Sequence, residues 1–136
     1  MINIIKSKRG EGYIDVVVSV LVSMMLLVLI LNVFSFLTIK QDMDYFSKEM
    51  IEAACMDGQT SGKVNERYDE LVDEIDIFPA YSWQSTYYNI SDHTVQLGDT
   101  ITIITTYRTY VKGFGVIKIP ITLTTTYSGL SQQYWK

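Results

Sequence analysis

The 24 residues from 16 to 39 (VVVSVLVSMMLLVLILNVFSFLTI) contain no charged side chain, and no other feature of the chain constrains its folding as much. At about 1.5 Å per residue a helix of this length reaches roughly 36 Å, enough to cross a hydrocarbon core of about 30 Å. A secretory signal has a shorter apolar region of about 7 to 15 residues and a small-x-small cleavage site. Nothing of that form follows Ile39, so the segment is expected to be retained. The hydrophobic content of 48% is ordinary only because this run is averaged with a polar, Thr- and Tyr-rich remainder. So uneven a distribution excludes a conventional soluble enzyme of 136 residues and a disordered chain.

Charge divides the chain at the same place. Lys6, Lys8 and Arg9 precede the run, while Asp42, Asp44, Glu49 and Glu52 outnumber Lys40 and Lys48 just beyond it. The positive-inside rule then predicts a cytoplasmic N-terminus and an exported remainder from Lys40 onward. Residues 40–136 hold eight basic and thirteen acidic side chains, so the exported part as a whole is not drawn to anionic lipid. A net charge of −4 argues against nucleic acid as a partner, because phosphate contacts need a basic surface. Cys55 is the single cysteine, which excludes an intrachain disulfide and a zinc site of several thiolates. At the end of an amphipathic stretch it is expected to be buried as a small apolar residue, in preference to bridging to another chain.

Helical spacing continues past the apolar run. Met43, Phe46, Met50 and Ala54 recur at three and four, and Asp44, Lys48 and Glu52 alternate in sign at i, i+4 on another face. One long helix over 11–56 is predicted, its transmembrane part at 16–39, with Asp57-Gly58 as the stop. After a loop at 57–62, Val64, Tyr68, Leu71, Val72 and Ile75 mark a short second helix over 63–76. Its outer face carries Glu66, Glu70, Asp73 and Glu74. With no Asp-x-Asp-x-Asp-Gly loop, this reads as a solvated acidic face and not a calcium site.

Beyond Pro79 the composition turns to Thr, Tyr and Ile, and strands are expected within 81–127: at 81–90, 100–111 and 116–127. Ile117, Ile119, Ile121 and Leu123 share one face of the third, opposite Lys118, Pro120 and Thr122. Turns at 97–99 and 112–115 join them into an antiparallel meander. Pro120 requires an edge strand, a bulge, or a nitrogen that faces outward. One apolar sheet face needs a cover, and the exported half of the long helix with the second helix can supply it. The expected fold class is α+β, with residues 57–136 as an exported head.

Asp15 lies at the inner margin of the span, where a carboxylate calls for explanation. It is either part of a charged flank at headgroup level or a functional group. The segment Lys-Ser-Lys-Arg-Gly10-Glu11-Gly-Tyr-Ile-Asp15, followed by the apolar run, resembles a prepilin signal: a basic leader ending in Gly, then an acidic fifth residue, then a hydrophobic helix. The architecture is similar to that of the TadE-like pseudopilins of tight-adherence (type IVb) pilus systems and to TadE-like proteins of Gram-positive bacteria. The resemblance implies a leader of residues 1–10 removed after Gly10, Glu11 as the new N-terminus, and Asp15 pairing with the terminal ammonium of a neighbouring subunit. It also implies prepilin peptidase, an assembly platform and a motor ATPase as partners. Two positions depart from the family pattern, Glu11 in place of an apolar residue and Asp15 in place of Glu. Within the run, Ser19 and Ser23 have small-xxx-small spacing, and Asn32 could bond between helices. The expected assembly residues are therefore Asp15, Ser19, Ser23 and Asn32.

No phosphate loop, His-Cys cluster or nucleophile elbow is present. His93 is the one histidine, so a metal site or a Ser-His pair is not expected. Asn89-Ile-Ser91 fits the glycosylation pattern, a frequent three-residue match. Tyrosines with Trp83 and Trp135 cluster in the strand region, as cross-strand packing would have them. The expected protein is a non-enzymatic pilin-like subunit of a type IV-like filament or of a related secretion or conjugation apparatus. It would need no cofactor and would bind the membrane and related subunits. The alternative is an unprocessed single-pass protein whose exported β-domain binds a partner; a tethered enzyme is disfavoured because no active-site constellation is present.

Overall fold

The computed structural model describes residues 7–113 and 117–136. Helix α1 runs over Ser7–Asp57, α2 over Lys63–Ile75, and strands β1 (Ala80–Ser85), β2 (Thr100–Gly113) and β3 (Ile117–Leu130) form one sheet in the order β1-β2-β3. The α+β class and the meander are as the sequence leads one to expect. Two compact units divide the described residues at Leu37/Thr38, Tyr110/Val111 and Ile119/Pro120.

In the unit built from Thr38–Tyr110 and Pro120–Lys136, the periodicity of α1 becomes a core. Met43, Phe46, Met50 and Ala54 are fully buried, and Ser47, Ile51 and Cys55 join them on the same stripe. Val64, Leu71 and Val72 of α2, Ile101 and Ile103 of β2 and Val95 complete the cluster. Burying a side chain such as Phe46 or Leu71 contributes about 1.5–3 kcal/mol. Tyr68 and Tyr81 pack around Phe46, with the Phe46 and Tyr68 rings edge to face at 5.7 Å, and Trp83 packs edge to face on Tyr81. The Trp83 Nε1 donor is buried without a partner among the described residues, a cost the aromatic packing must outweigh. Ser47 is also buried, and its hydroxyl donates to Thr105 Oγ1 at 2.8 Å, so each satisfies the other.

Burial alternates along β3 through Leu123, Thr125, Tyr127 and Gly129 on the inner face, extending the period of two beyond the expected end. Ser131 faces β2, since its N–H donates to the Asp99 carbonyl at 2.9 Å. Counting back in twos puts the even-numbered residues, Pro120 among them, with their backbone groups directed away from β2. The proline thus sits on an edge strand with its nitrogen outward, and no ladder bond is lost.

The end of α1, the start of β1, the end of β2 and the start of β3 lie one or two residues from expectation, and four other boundaries differ as well. Helix α1 starts at Ser7, ahead of Glu11. Helix α2 stops at Ile75, where Asp76 takes a left-handed conformation (φ 53°) and its N–H bonds the Val72 carbonyl. Strand β1 ends at Ser85, five residues early. Farther along, the Asn89 side chain accepts from Ser91 N and donates to Asp92, so a local turn displaces the ladder. Strand β3 runs on through Ser128-Gly129-Leu130, a turn-like sequence, because Gly129 lies against the helix.

That contact is close: a Cβ at Gly129 would lie 2.5 Å from Cys55 Sγ. We expect Gly129→Ala to lower stability by about 1–3 kcal/mol, and Cys55→Ala in the same chain to recover most of the loss. Thermal denaturation of the detergent-solubilised protein reads both effects.

Candidate functional site

Most of the apolar part of α1 is exposed: Val16, Leu21, Leu27 and Phe34 are each more than half exposed, Val28, Asn32, Phe36 and Ile39 are half-buried, and none of its most apolar window is buried. A helix that is hydrophobic all round needs a nonaqueous or protein environment on every side. The polar groups within it are handled locally. Ser23 Oγ donates to the Ser19 carbonyl at 2.8 Å, Asn32 Nδ2 to the Val28 carbonyl at 2.9 Å and Ser35 Oγ to the Leu31 carbonyl at 3.1 Å. Such back-bonding lowers the cost of placing these residues in hydrocarbon. For Asn32 it uses one of the two amide hydrogens, leaving one for a neighbouring helix.

The structure separates the residues singled out in the sequence. Asp15, Ser19 and Ser23 follow one another at i, i+4 along one ridge of α1. At about 100° per residue, Asn32 lies roughly 180° around the helix from Ser23, so it belongs to a different face. Asp15 is exposed and has no ion-pair partner among the described residues. Gly10 and Glu11 fall in the first turns of α1; the surroundings of the Glu11 side chain lie outside the described residues.

The C-terminal half of α1 is tied down by groups with no sequence signature. Arg67 of α2 bonds Glu49 of α1 and Glu70 of α2, each at 2.8 Å, and Glu74 is 3.9 Å away. These carboxylates push the guanidinium still higher above its ordinary range, its bonds to Glu49 and Glu70 contributing most. Glu74 also accepts from Tyr45 Oη at 3.1 Å, and that bond raises the Tyr45 hydroxyl. Glu66, Glu70, Asp73 and Glu74 are exposed, and among the described residues no group of three His, Cys, Asp or Glu could hold a metal.

At the far end of α1 the last carbonyls, which a helix leaves unsatisfied, are met from elsewhere in the chain. Gly58 turns with φ 63° and its N–H bonds the Ala54 carbonyl. Gln132 N–H donates to the Cys55 carbonyl at 2.9 Å, Gln133 Nε2 to that of Met56 at 3.0 Å and Trp135 Nε1 to that of Gly58 at 3.2 Å. The same indole bonds the Val95 carbonyl, and Gln96 brackets the Trp135 backbone with two bonds. Beside this knot lies an open groove of about 470 Å³, lined by Gln59, Tyr88, Asn89, Asp92 and Trp135 among others. His93, with φ 54°, stacks edge on against Tyr87.

The fold and the exposed helix fit a membrane-anchored α+β protein. The family described as Domain of unknown function (DUF4320) matches residues 20–136, and the chain belongs to that family. No curated protein and no solved structure matches it. The family match begins within the apolar run, so Gly10, Glu11, Asp15 and Ser19 lie ahead of it.

Cys55 is a free thiol, buried beneath Gly129. Burial pushes it above the usual thiol range, and Glu52 adds to the shift. The thiolate, which is the reactive form, is therefore disfavoured. We expect a bulky maleimide at pH 7 to leave the folded protein unmodified and to label it fully in denaturant, as read by intact mass.

Proposed function

We propose that this protein is a non-enzymatic, pilin-like subunit. It is inserted with its N-terminus in the cytoplasm, cut after Gly10 by a prepilin peptidase, and assembled through α1 with like or related subunits. The product is a type IV-like filament or a related secretion or conjugation apparatus, driven by an assembly platform and a motor ATPase. The observation that carries this reading is α1: a single 51-residue helix whose apolar half is exposed and whose other half supplies the core of an α+β head. Lipid covers the apolar half before assembly, and neighbouring helices do so afterwards.

Asp15 fits the same scheme. A carboxylate among packed apolar helices is tolerated chiefly when paired, and cleavage after Gly10 would create an ammonium four residues away in sequence, available to the next copy. The Ser19 and Ser23 ridge lies beside Asp15 and allows the close helix approach that such a pair needs. A second reading, an unprocessed anchor whose exported domain binds a partner, draws support from the groove beside Trp135.

Intact mass of the protein extracted from membranes separates the two. Loss of residues 1–10 is expected, and a full-length chain from cells with an active peptidase would sink the pilin reading. For Asp15→Ala we expect normal insertion and cutting, with at least about tenfold less filament or helix-to-helix crosslinked product, the loss of a buried ion pair. A plain anchor would be indifferent to the change.

A further inference from the structure

Within the unit of Thr38–Tyr110 and Pro120–Lys136, contacts align the helix with the strands. Lys40 Nζ and Asp44 Oδ1 approach Thr125 Oγ1 at 3.5 and 3.4 Å, Ser47 bonds Thr105 at 2.8 Å, and the Cys55 carbonyl accepts from Gln132 N at 2.9 Å. Residue numbers in α1 therefore rise along β3 and fall along β2. Five strand residues beyond Thr105 cover about 17 Å, the rise of about 11 helical residues. Counted back from Ser47, that brings Tyr110 level with the end of the unit where Thr38 enters. Lys40, at which the apolar run gives way to charge, is at this end too.

Strand β1 opens at the same end, since Ala80 pairs with Thr106. Phe78, Ala80, Thr106, Tyr107 and Arg108 line a shallow groove of about 360 Å³ there. Phe78 is 73% and Tyr110 59% exposed. Arg108 is exposed and has no ion pair among the described residues. The net acidity of the exported part conceals a segregation of charge. Residues 40–99 hold thirteen carboxylates and four cations, whereas from Thr100 onward there are four cations, Arg108, Lys112, Lys118 and Lys136, and no carboxylate.

We infer that this end of the unit is a lipid-contacting collar, in which Phe78 and Tyr110 seat in the interfacial layer and Arg108 binds phospholipid phosphate. A tyrosine ring, apolar with one polar edge, favours the headgroup level, and the exposed Phe78 ring gains by leaving water beside it. A guanidinium matches phosphate geometry with two parallel bonds, and its stem can lie along Tyr110, which shares its strand face, while the head reaches outward. Thr38 joins the unit to the apolar run in the chain, so no affinity for free lipid is required. The inference rests on the membrane-anchored reading and is independent of filament assembly.

The test uses the full-length chain with Cys55→Ala, one copy per nanodisc of mixed zwitterionic and anionic phospholipid, carrying a fluorophore at Tyr110→Cys, Leu97→Cys or Leu27→Cys. Leu97 is exposed at the opposite end of the unit, next to Gly98, whose N–H bonds Ser131. A headgroup-level spin-labelled lipid is expected to quench the Tyr110 label about threefold more than the Leu97 label. Arg108→Glu is expected to reduce that quenching about twofold, with the near-UV circular dichroism unchanged. Equal quenching at Tyr110 and Leu97 overturns the collar. So does a Tyr110 signal that arises only with several copies per disc, which would mark a second chain as the occupant. A Leu27 label that an acyl-chain spin label fails to quench overturns the membrane span itself, a failure distinct from that of the collar.

Discussion

The packing of one α1 stripe against three strands carries the unit of Thr38–Tyr110 and Pro120–Lys136. A sheet of two 14-residue strands and one of six has a single apolar face, and such a sheet is not stable until that face is covered. Met43, Phe46, Met50, Ile51, Ala54 and Cys55 provide the cover. Because these residues are continuous with the apolar run in one helix, the unit cannot fold around a core that excludes α1. The 97 residues from Lys40 onward thus take their centre from the same helix that carries the apolar run.

This dependence explains why the helix ends are treated so differently. Toward its C-terminal end, α1 has its carbonyls capped by Gly58, Gln132, Gln133 and Trp135, and its side is pinned by Arg67 through Glu49. Fraying there would expose Ala54 and Cys55 and uncover Gly129. Along residues 16–39 no such ties are needed, because every carbonyl but the outermost has its partner within the helix and the hydroxyls fold back onto it.

Much of this was legible in the residues. The apolar run, the Met43-Phe46-Met50-Ala54 spacing and the period of two in β3 are local patterns, and local patterns report which face is apolar. The end of β1 was not legible, because the Asn89 turn depends on side-chain bonds to Ser91 and Asp92 that compete with a plausible strand sequence. Nor was the role of Gly129, whose reason is a sulfur atom 74 positions earlier in the chain. The tail that caps α1 is equally silent, since glutamine and tryptophan carry no capping signature. Among the candidate assembly residues, the spacing of Asp15, Ser19 and Ser23 placed them on one ridge, and the same arithmetic sets Asn32 on another face.

That separation bears on how the helix could be used. A single pairwise contact centred on Ser23 cannot also employ Asn32, since the two lie on opposite sides of one cylinder about 10 Å across. A helix surrounded by others can use both at once, the ridge toward one neighbour and the amide toward another. Ser23 and Asn32 each meet part of their own hydrogen-bonding need within the helix, so neither forces association in lipid. Asp15 is different, because no back-bond can neutralise a carboxylate. On the proposed reading, drive and specificity therefore have separate sources: extended apolar surface gives helices a common environment, and one charge sets their stagger. A stagger set by an ion pair repeats identically from copy to copy, which is the condition a heterologous contact must meet to grow a filament.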